Sequence, residues 1–129
     1  MTKPTVMIVD DEPFNLEICR VYLENDYNVE VANSGQECLD SLNSARPDVI
    51  LMDWMMPHPD GLETTAIIRK RKDVKDIPIL MISAKGSPHE VEYAKRQGID
   101  DYLIKPFEEE DLLEMIDKVL NQSNNSAAN

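Results

Sequence analysis

Five side chains with nucleophilic, acid–base or metal-binding chemistry follow short apolar runs in this chain. They are Asp10, Asp11, Asp53, Ser83 and Lys105. The clearest case is Asp53, which ends the fully apolar run of residues 49–52. Continuous apolar runs of this length favour strands buried on both faces of a parallel sheet. Because the carboxyl ends of parallel strands meet at one edge of a sheet, we expect the five side chains to lie close together there.

Carboxylates, a hydroxyl and an ammonium group at one sheet edge predict magnesium-dependent phosphoryl transfer. Crowded carboxylates repel one another unless a cation lies among them, and Mg²⁺ prefers an all-oxygen set of ligands. Asp53 would then attack as a nucleophile and form an acyl phosphate. Lys105 and the metal would neutralise charge on the phosphoryl oxygens, and Ser83 would donate a hydrogen bond to one of them.

The elements that must position these side chains alternate between strand and helix along the chain. The predicted strands are 6–9, 28–32, 49–52, 77–82 and 102–104, and helices begin near residues 13, 34, 61, 88 and 109. Residues 28–32 alternate polar and apolar, as in a half-exposed edge strand. Ser34 and Glu37 have the spacing of a capping box. The alternation predicts a doubly wound α/β fold, in which helices cover both faces of a five-stranded parallel sheet.

Length, charge and cysteine usage limit the classes of function. A chain of 129 residues suits one domain, and its net charge of −12 argues against direct binding of nucleic acid or an anionic membrane. Cys19 and Cys38 lie in apolar-periodic segments without metal-ligand spacing, which indicates buried reduced thiols and a cytoplasmic setting. We expect residues 1–120 to form the domain and residues 121–129, which are polar and without periodicity, to be a disordered tail or the start of a linker.

Several motifs together resemble those of the response-regulator receiver domains of bacterial two-component signalling. They are VDDE at residues 9–12, LMDWMMP at 51–57, DGLE at 60–63, SA at 83–84 and GIDDYLIKPF at 98–107. The resemblance extends from about residue 5 to residue 120. It implies the strand order 2-1-3-4-5 and a phosphorylated signalling switch, which is no enzyme beyond assisting its own phosphorylation and dephosphorylation. It also implies a sensor histidine kinase or a histidine phosphotransfer protein as donor, and a downstream protein or a fused output domain as the recipient of the signal.

The resemblance also implies roles for individual residues. Asp53 would be the phosphoryl acceptor. Asp11 would bind Mg²⁺ directly and Asp10 through water, and the backbone carbonyl of Met55 would complete the protein's ligands. Ser83 and Tyr102 would form the switch: the phosphoryl group draws the hydroxyl inward, the aromatic ring fills the vacated space, and the face of helix four, strand five and helix five changes.

Other classes of function remain open on the residues alone. A flavodoxin-like flavin binder shares the architecture, but the acids at residues 10–12 replace the phosphate-binding loop that it needs. An aspartate-nucleophile phosphatase usually has a second acid two residues after the nucleophile, where this chain has Met55. A receiver-like interaction module that takes no phosphate is the remaining alternative. Within the preferred function, we hypothesise that Met55 and Lys85 set the lifetime of the phosphoryl group.

Overall fold

The fold alternates strictly between strand and helix. A computed structural model describes residues 2–128, with side chains described as far as residue 122. The elements are β1 Thr5–Val9, α1 Pro13–Leu23, β2 Asn28–Ala32, α2 Gly35–Ser41, β3 Val49–Asp53, α3 Gly61–Arg69, β4 Ile79–Ser83, α4 Pro88–Arg96, β5 Asp101–Ile104 and α5 Glu109–Ala128. Every described helix is too short or too polar to cross a bilayer.

The five strands form one parallel sheet in the order β2-β1-β3-β4-β5. This confirms the predicted architecture and strand order. Every residue of β3 and β4 is buried, as their continuous apolar runs predict, whereas β2 lies at an edge and keeps exposed positions. In the sheet register Val9 pairs with Met52, Asp53 with Ile82, and Ser83 with Ile104, so the strands end close together at one edge.

Helices cover both faces of the sheet, because alternate residues of each strand point to opposite sides. Ile8 and Leu51 point to the side that packs against buried residues of α1 and α5, such as Leu23 and Leu112. Val9 and Met52 point to the other side, where α2, α3 and α4 contribute buried side chains. Each helix therefore lies against the sheet through one apolar stripe, as the alternating pattern predicts.

Both cysteines are free and buried, as predicted. Cys19 lies on the α1 side and Cys38 on the α2 side of the sheet. Burial raises the pKa of Cys19 to about 11 and that of Cys38 to about 12, so both thiols stay protonated at neutral pH.

The observed helix caps agree in part with those that the sequence predicts. Ser34 caps α2 as predicted, since its side chain accepts from the Glu37 backbone N–H at 3.0 Å. The second half of the predicted capping box is different: the Glu37 carboxylate accepts from the Asn33 N–H instead of the Ser34 N–H. Gly98 ends α4 with a φ of +112°, a backbone conformation that glycine adopts at little cost.

Most predicted strand boundaries lie within one residue of the observed ones, and two element boundaries differ by more. β4 begins at Ile79, because Pro78 has no N–H to donate to a neighbouring strand. Helix α5 continues to Ala128 and so runs through most of the segment that the sequence predicts to be a polar tail. Each residue added to an existing helix gains one hydrogen bond, so extension is far less unfavourable in free energy than nucleation of a new helix. The domain boundary at residue 120 stays a prediction.

Candidate functional site

Three carboxylates lie together at the carboxyl edge of the sheet. Asp53 is the last residue of β3, and Asp10 and Asp11 directly follow β1. Each contributes one carboxylate oxygen to a group whose members all lie within 4.8 Å of one another. Asp10 and Asp53 are buried, with 5% and 6% of their surfaces exposed, whereas Asp11 is more open to solvent. The structure thus brings together the three acids that the sequence predicts to meet.

Lys105 reaches the same carboxylates from the segment that follows β5. Its Nζ lies 3.5 Å from Asp10 Oδ2 and 3.7 Å from Asp53 Oδ1. Its side chain is 27% exposed, so the pairs are only partly screened by solvent. One ammonium group facing three carboxylates leaves an excess of negative charge.

The excess negative charge and burial both act on Asp53. Burial raises its pKa to about 7, and the neighbouring charge of Asp10 acts in the same direction. The Lys105 ammonium opposes this increase, as does the Met55 backbone N–H, which lies 3.4 Å from Asp53 Oδ1. An ionised Asp53 is therefore costly in the metal-free protein. A hard divalent cation fits this set of crowded oxygen donors, because it would compensate the repulsion.

Ser83 and Tyr102 approach the site from β4 and β5 and meet at one loop residue. Ser83 is fully buried, and its Oγ accepts a hydrogen bond from the Lys85 backbone N–H at 3.1 Å. The Tyr102 hydroxyl donates to the Lys85 carbonyl oxygen. Its ring is 7% exposed, so it lies inside the protein in this structure. Both proposed switch residues thus hold the same short segment between β4 and α4.

Met55 lies beside Asp53, as its predicted role requires. Its side chain is 56% exposed and projects from the loop after β3. Its backbone N–H faces the Asp53 carboxylate, which fixes the local course of the chain. The role of its carbonyl oxygen as a metal ligand stays a prediction.

Sequence reasoning did not identify the aromatic cluster beside the site. Trp54 is 8% exposed. Its ring plane lies 24° from that of Tyr93, with the two centroids 6.5 Å apart, and it is nearly perpendicular to the Tyr102 ring, with centroids 6.4 Å apart. The Lys85 Nζ lies 4.4 Å from the centroid of the Trp54 ring. These four residues come from four parts of the chain: the loop after β3, the loop after β4, α4 and β5. The only signal in the sequence is the presence of these residue types, because their contacts arise from the tertiary fold.

A cavity opens beside the carboxylates on the α1 side of the sheet. Its volume is about 430 Å³, and its walls are mostly apolar. Cys19 and Tyr22 of α1 and Phe107 after β5 line it, and Asp53 and Lys105 lie at its polar end. This opening leaves the carboxylates accessible from the side of α1.

Comparison with known proteins agrees with this geometry. Residues 6–117 match the family described as the response regulator receiver domain. The response regulator MprA of Mycolicibacterium vanbaalenii is 43% identical over 109 residues, which cover 84% of this chain and 46% of that protein. MprA of Mycobacterium tuberculosis H37Rv has the same identity and coverage. The chain thus spans about half the length of these curated relatives.

Solved structures have the same fold. Chemotaxis protein CheY4 of Vibrio cholerae superposes with a TM-score of 0.86 at 34% identity, over 92% of this chain and 99% of that chain. A putative response regulator from Chloroflexus aurantiacus superposes with a TM-score of 0.88 at 31% identity, over 93% of this chain and 99% of that chain.

Proposed function

The chain belongs to the response regulator receiver domain family of two-component signalling, and on that premise we propose that it is a switch that accepts a phosphoryl group on Asp53. The observation that carries the proposal is the position of this carboxylate. Asp53 is buried at the end of β3, with two further carboxylates within 4.8 Å and the Lys105 ammonium at 3.7 Å. A nucleophile, a cation site and a fixed positive charge are the parts that phosphoryl transfer needs.

In the proposed reaction, an oxygen of Asp53 attacks phosphorus as the bond to the donor breaks. With a phosphohistidine donor, the phosphorus–nitrogen bond breaks and its electron pair stays on the imidazole nitrogen. That nitrogen then takes up a proton. Mg²⁺ held by Asp10, Asp11, Asp53 and the Met55 carbonyl would neutralise charge on the phosphoryl oxygens. Lys105 stabilises the ionised form of Asp53 before attack and an equatorial oxygen during transfer.

The same geometry supports a route from the site to a distant surface. Ser83 and Tyr102 both bind the backbone of Lys85, which precedes α4. A phosphoryl oxygen that takes a hydrogen bond from the Ser83 hydroxyl would move that hydroxyl and, with it, this segment. The change would reach the face formed by α4, β5 and α5, and a two-state element biased by one local charge is a general design for such switches.

The proposed partners are proteins. A sensor histidine kinase or a histidine phosphotransfer protein would supply the phosphoryl group, and a downstream protein or a fused output domain would receive the signal, within the cytoplasm. The net charge of −12 is unfavourable for direct contact with nucleic acid or an anionic membrane. We propose no turnover of a separate substrate.

The test is phosphorylation from acetyl phosphate, read as a mobility change on a gel that retains phosphorylated protein. The wild type is expected to shift only with Mg²⁺, and Asp53→Asn is expected not to shift. Asp76→Asn is a matched control, because Asp76 is an exposed carboxylate outside the site. No shift of the wild type, or an undiminished shift of Asp53→Asn, would overturn the proposal, and the former result would favour an interaction module that takes no phosphate.

A further inference from the structure

Positive charge is scarce in this chain, and its unpaired part is concentrated in one region. The chain has 13 Lys and Arg residues against 25 Asp and Glu residues. Within the described residues, those that lie within 4 Å of a carboxylate are Arg20, Arg69, Lys95, Arg96, Lys105 and Lys118. Lys85 lies over the Trp54 ring instead. The cations with neither kind of partner are Lys3 and a group that we call the basic patch: Arg46, Lys70, Arg71, Lys72 and Lys75.

The basic patch is assembled from two separate segments. Residues 70–76 fold back on themselves after α3, and the Lys75 N–H donates to the Arg71 carbonyl oxygen at 2.8 Å. The Arg46 guanidinium donates to the Asp73 carbonyl oxygen, which brings the loop before β3 against this segment. Every cation of the patch is exposed except Arg71, which is half-buried and donates to the Leu39 carbonyl oxygen at 3.0 Å.

Helix ends and nearby acids balance only part of this charge. The carboxyl ends of α2 and α3 lie beside the patch and carry about half a negative charge each. Asp73 and Asp76 belong to the same segment, but within the described chain neither forms an ion pair with a cation of the patch. The Asp48 carboxylate instead accepts from the Thr5 N–H at 2.8 Å. The basic patch therefore keeps an excess of positive charge on the surface of an acidic protein.

An exposed apolar side chain lies beside these cations. Ile67 is 40% exposed in the last turns of α3. It precedes Lys70 by three residues, and residues with this spacing share one side of a helix end. An apolar side chain next to unpaired cations suits a ligand that combines carboxylates with one apolar group.

The range of these charges favours a protein segment as the ligand. At physiological ionic strength charges are screened beyond about 8 Å, so a short acidic segment responds to the local patch and little to the net charge of −12. A nucleic acid or an anionic membrane extends much further and would also meet the acidic surface around the patch.

We propose that the basic patch, together with Ile67, binds an acidic segment of a partner protein that carries an apolar side chain among its carboxylates. The patch precedes β3 and β4, so it lies at the amino-terminal edge of the sheet, opposite to Asp53. Binding here is independent of phosphorylation. The inference therefore goes beyond the proposed function and adds a second interaction surface.

The experiment titrates the full chain with a capped peptide of glutamates around one central leucine, and follows the backbone amide resonances by NMR. Shifts are expected for residues 67–75. The triple variant Lys70→Gln, Lys72→Gln and Lys75→Gln is expected to weaken binding by about tenfold, and Lys72→Gln alone by about twofold. The matched control is Arg20→Gln, Arg96→Gln and Lys118→Gln, which removes the same charge from exposed sites elsewhere and is expected to change binding by less than about twofold.

A second arm tests the apolar contact. Ile67→Ala is expected to weaken binding of the leucine peptide by about threefold. It is expected to leave unchanged the binding of a peptide in which glycine replaces the leucine. Asp53→Asn is expected to bind as the wild type does, because the patch lies at the other edge of the sheet.

Three results would overturn the inference. They are equal losses of affinity in the two triple variants, an absence of shifts at residues 67–75, and tighter binding of a DNA duplex or of anionic lipid vesicles than of the peptide. Failure of the wild type to become phosphorylated would overturn the proposed function and leave this inference standing.

Discussion

Replacing the proposed acceptor by its amide, Asp53→Asn, is expected to stabilise the metal-free protein at neutral pH and above. Three carboxylates have oxygens within 4.8 Å of one another, and the Lys105 ammonium lies 3.5–3.7 Å from two of them. This excess of negative charge makes an ionised Asp53 unfavourable in the folded state. Asparagine has nearly the same shape and no charge. Function and stability are therefore expected to oppose one another at this residue, as at many sites prepared for a ligand.

The magnitude follows from the pKa of Asp53. Burial raises this pKa from its ordinary value of 3.8 to about 7. At about 1.4 kcal/mol for each pKa unit, the full cost of the ionised form would be roughly 4 kcal/mol. The cavity opens next to the carboxylates, and screening by solvent there reduces such energies. We therefore expect Asp53→Asn to raise the free energy of unfolding by about 2 kcal/mol near pH 8.

The dependence on pH has a definite sign. A carboxyl group whose pKa is raised by folding binds its proton more tightly in the folded state, so stability falls as the pH rises from about 4 to about 7. Below this range the carboxyl group is protonated in both states and costs nothing. The advantage of the amide should therefore be complete near pH 8 and less than half as large near pH 5.

Urea unfolding followed by far-UV circular dichroism, with a chelator present, measures the effect. Asp76→Asn again serves as the control and is expected to change the free energy of unfolding by less than about 0.5 kcal/mol. Adding Mg²⁺ should stabilise the wild type more than Asp53→Asn, because a cation that binds only the folded state adds to its stability. An Asp53→Asn protein no more stable than the wild type near pH 8 without metal would refute the reasoning.

Three further substitutions test the packing that supports the site, each by the midpoint of urea unfolding. Gly61→Ala should destabilise the protein by about 2 kcal/mol or more, because a Cβ would lie 2.3 Å from the Asp53 carbonyl oxygen; an unchanged midpoint would contradict this close contact. Gly98→Ala should lower the free energy of unfolding by about 1–2 kcal/mol, because alanine is strained at the positive φ of this residue. An unchanged midpoint would contradict this strain. Arg69→Ala should lower the free energy of unfolding by about 2–3 kcal/mol, since its guanidinium binds the Gly98 carbonyl and the Asp100 carboxylate. Arg69→Lys should regain only part of that stability, and full recovery would contradict the role of the paired guanidinium contacts.

Much of the fold was predictable because burial on both faces leaves a plain pattern. Residues 49–52 are apolar without interruption, and the structure places them in the middle of the sheet. The end of such a strand is marked by its first charged residue, so Asp53 was located at the sheet edge from the sequence alone. Neighbouring strand ends then placed Lys105 beside it, and the structure confirms that proximity.

Element boundaries were less predictable because several residues compete for the same role. Ser34 was identified correctly as a helix cap, but the Glu37 carboxylate accepts from the Asn33 N–H, one residue before the predicted partner. The polar composition after residue 120 indicates no packed core. Helix α5 nevertheless continues, because extending an existing helix needs much less free energy than nucleating a new one.

Contacts between distant residues were beyond sequence reasoning. Trp54 and Tyr93 are far apart in the chain, and nothing in their spacing predicts that their rings meet. The position of Lys85 over the indole depends in turn on the loop after β4. The sequence directed attention to Met55 and Lys85 as neighbours of the acceptor. The structure adds that the Lys85 ammonium lies over the ring of Trp54.

Intact mass after incubation with acetyl phosphate is the most direct test of the central claim. With Mg²⁺, the wild type is expected to gain the mass of a single phosphoryl group, which hydroxylamine removes because an acyl phosphate is labile to it. Peptide mapping should place the group on Asp53. A stable gain that resists hydroxylamine, a gain located on another residue, or no gain in any condition would contradict the account of Asp53 as the phosphoryl acceptor.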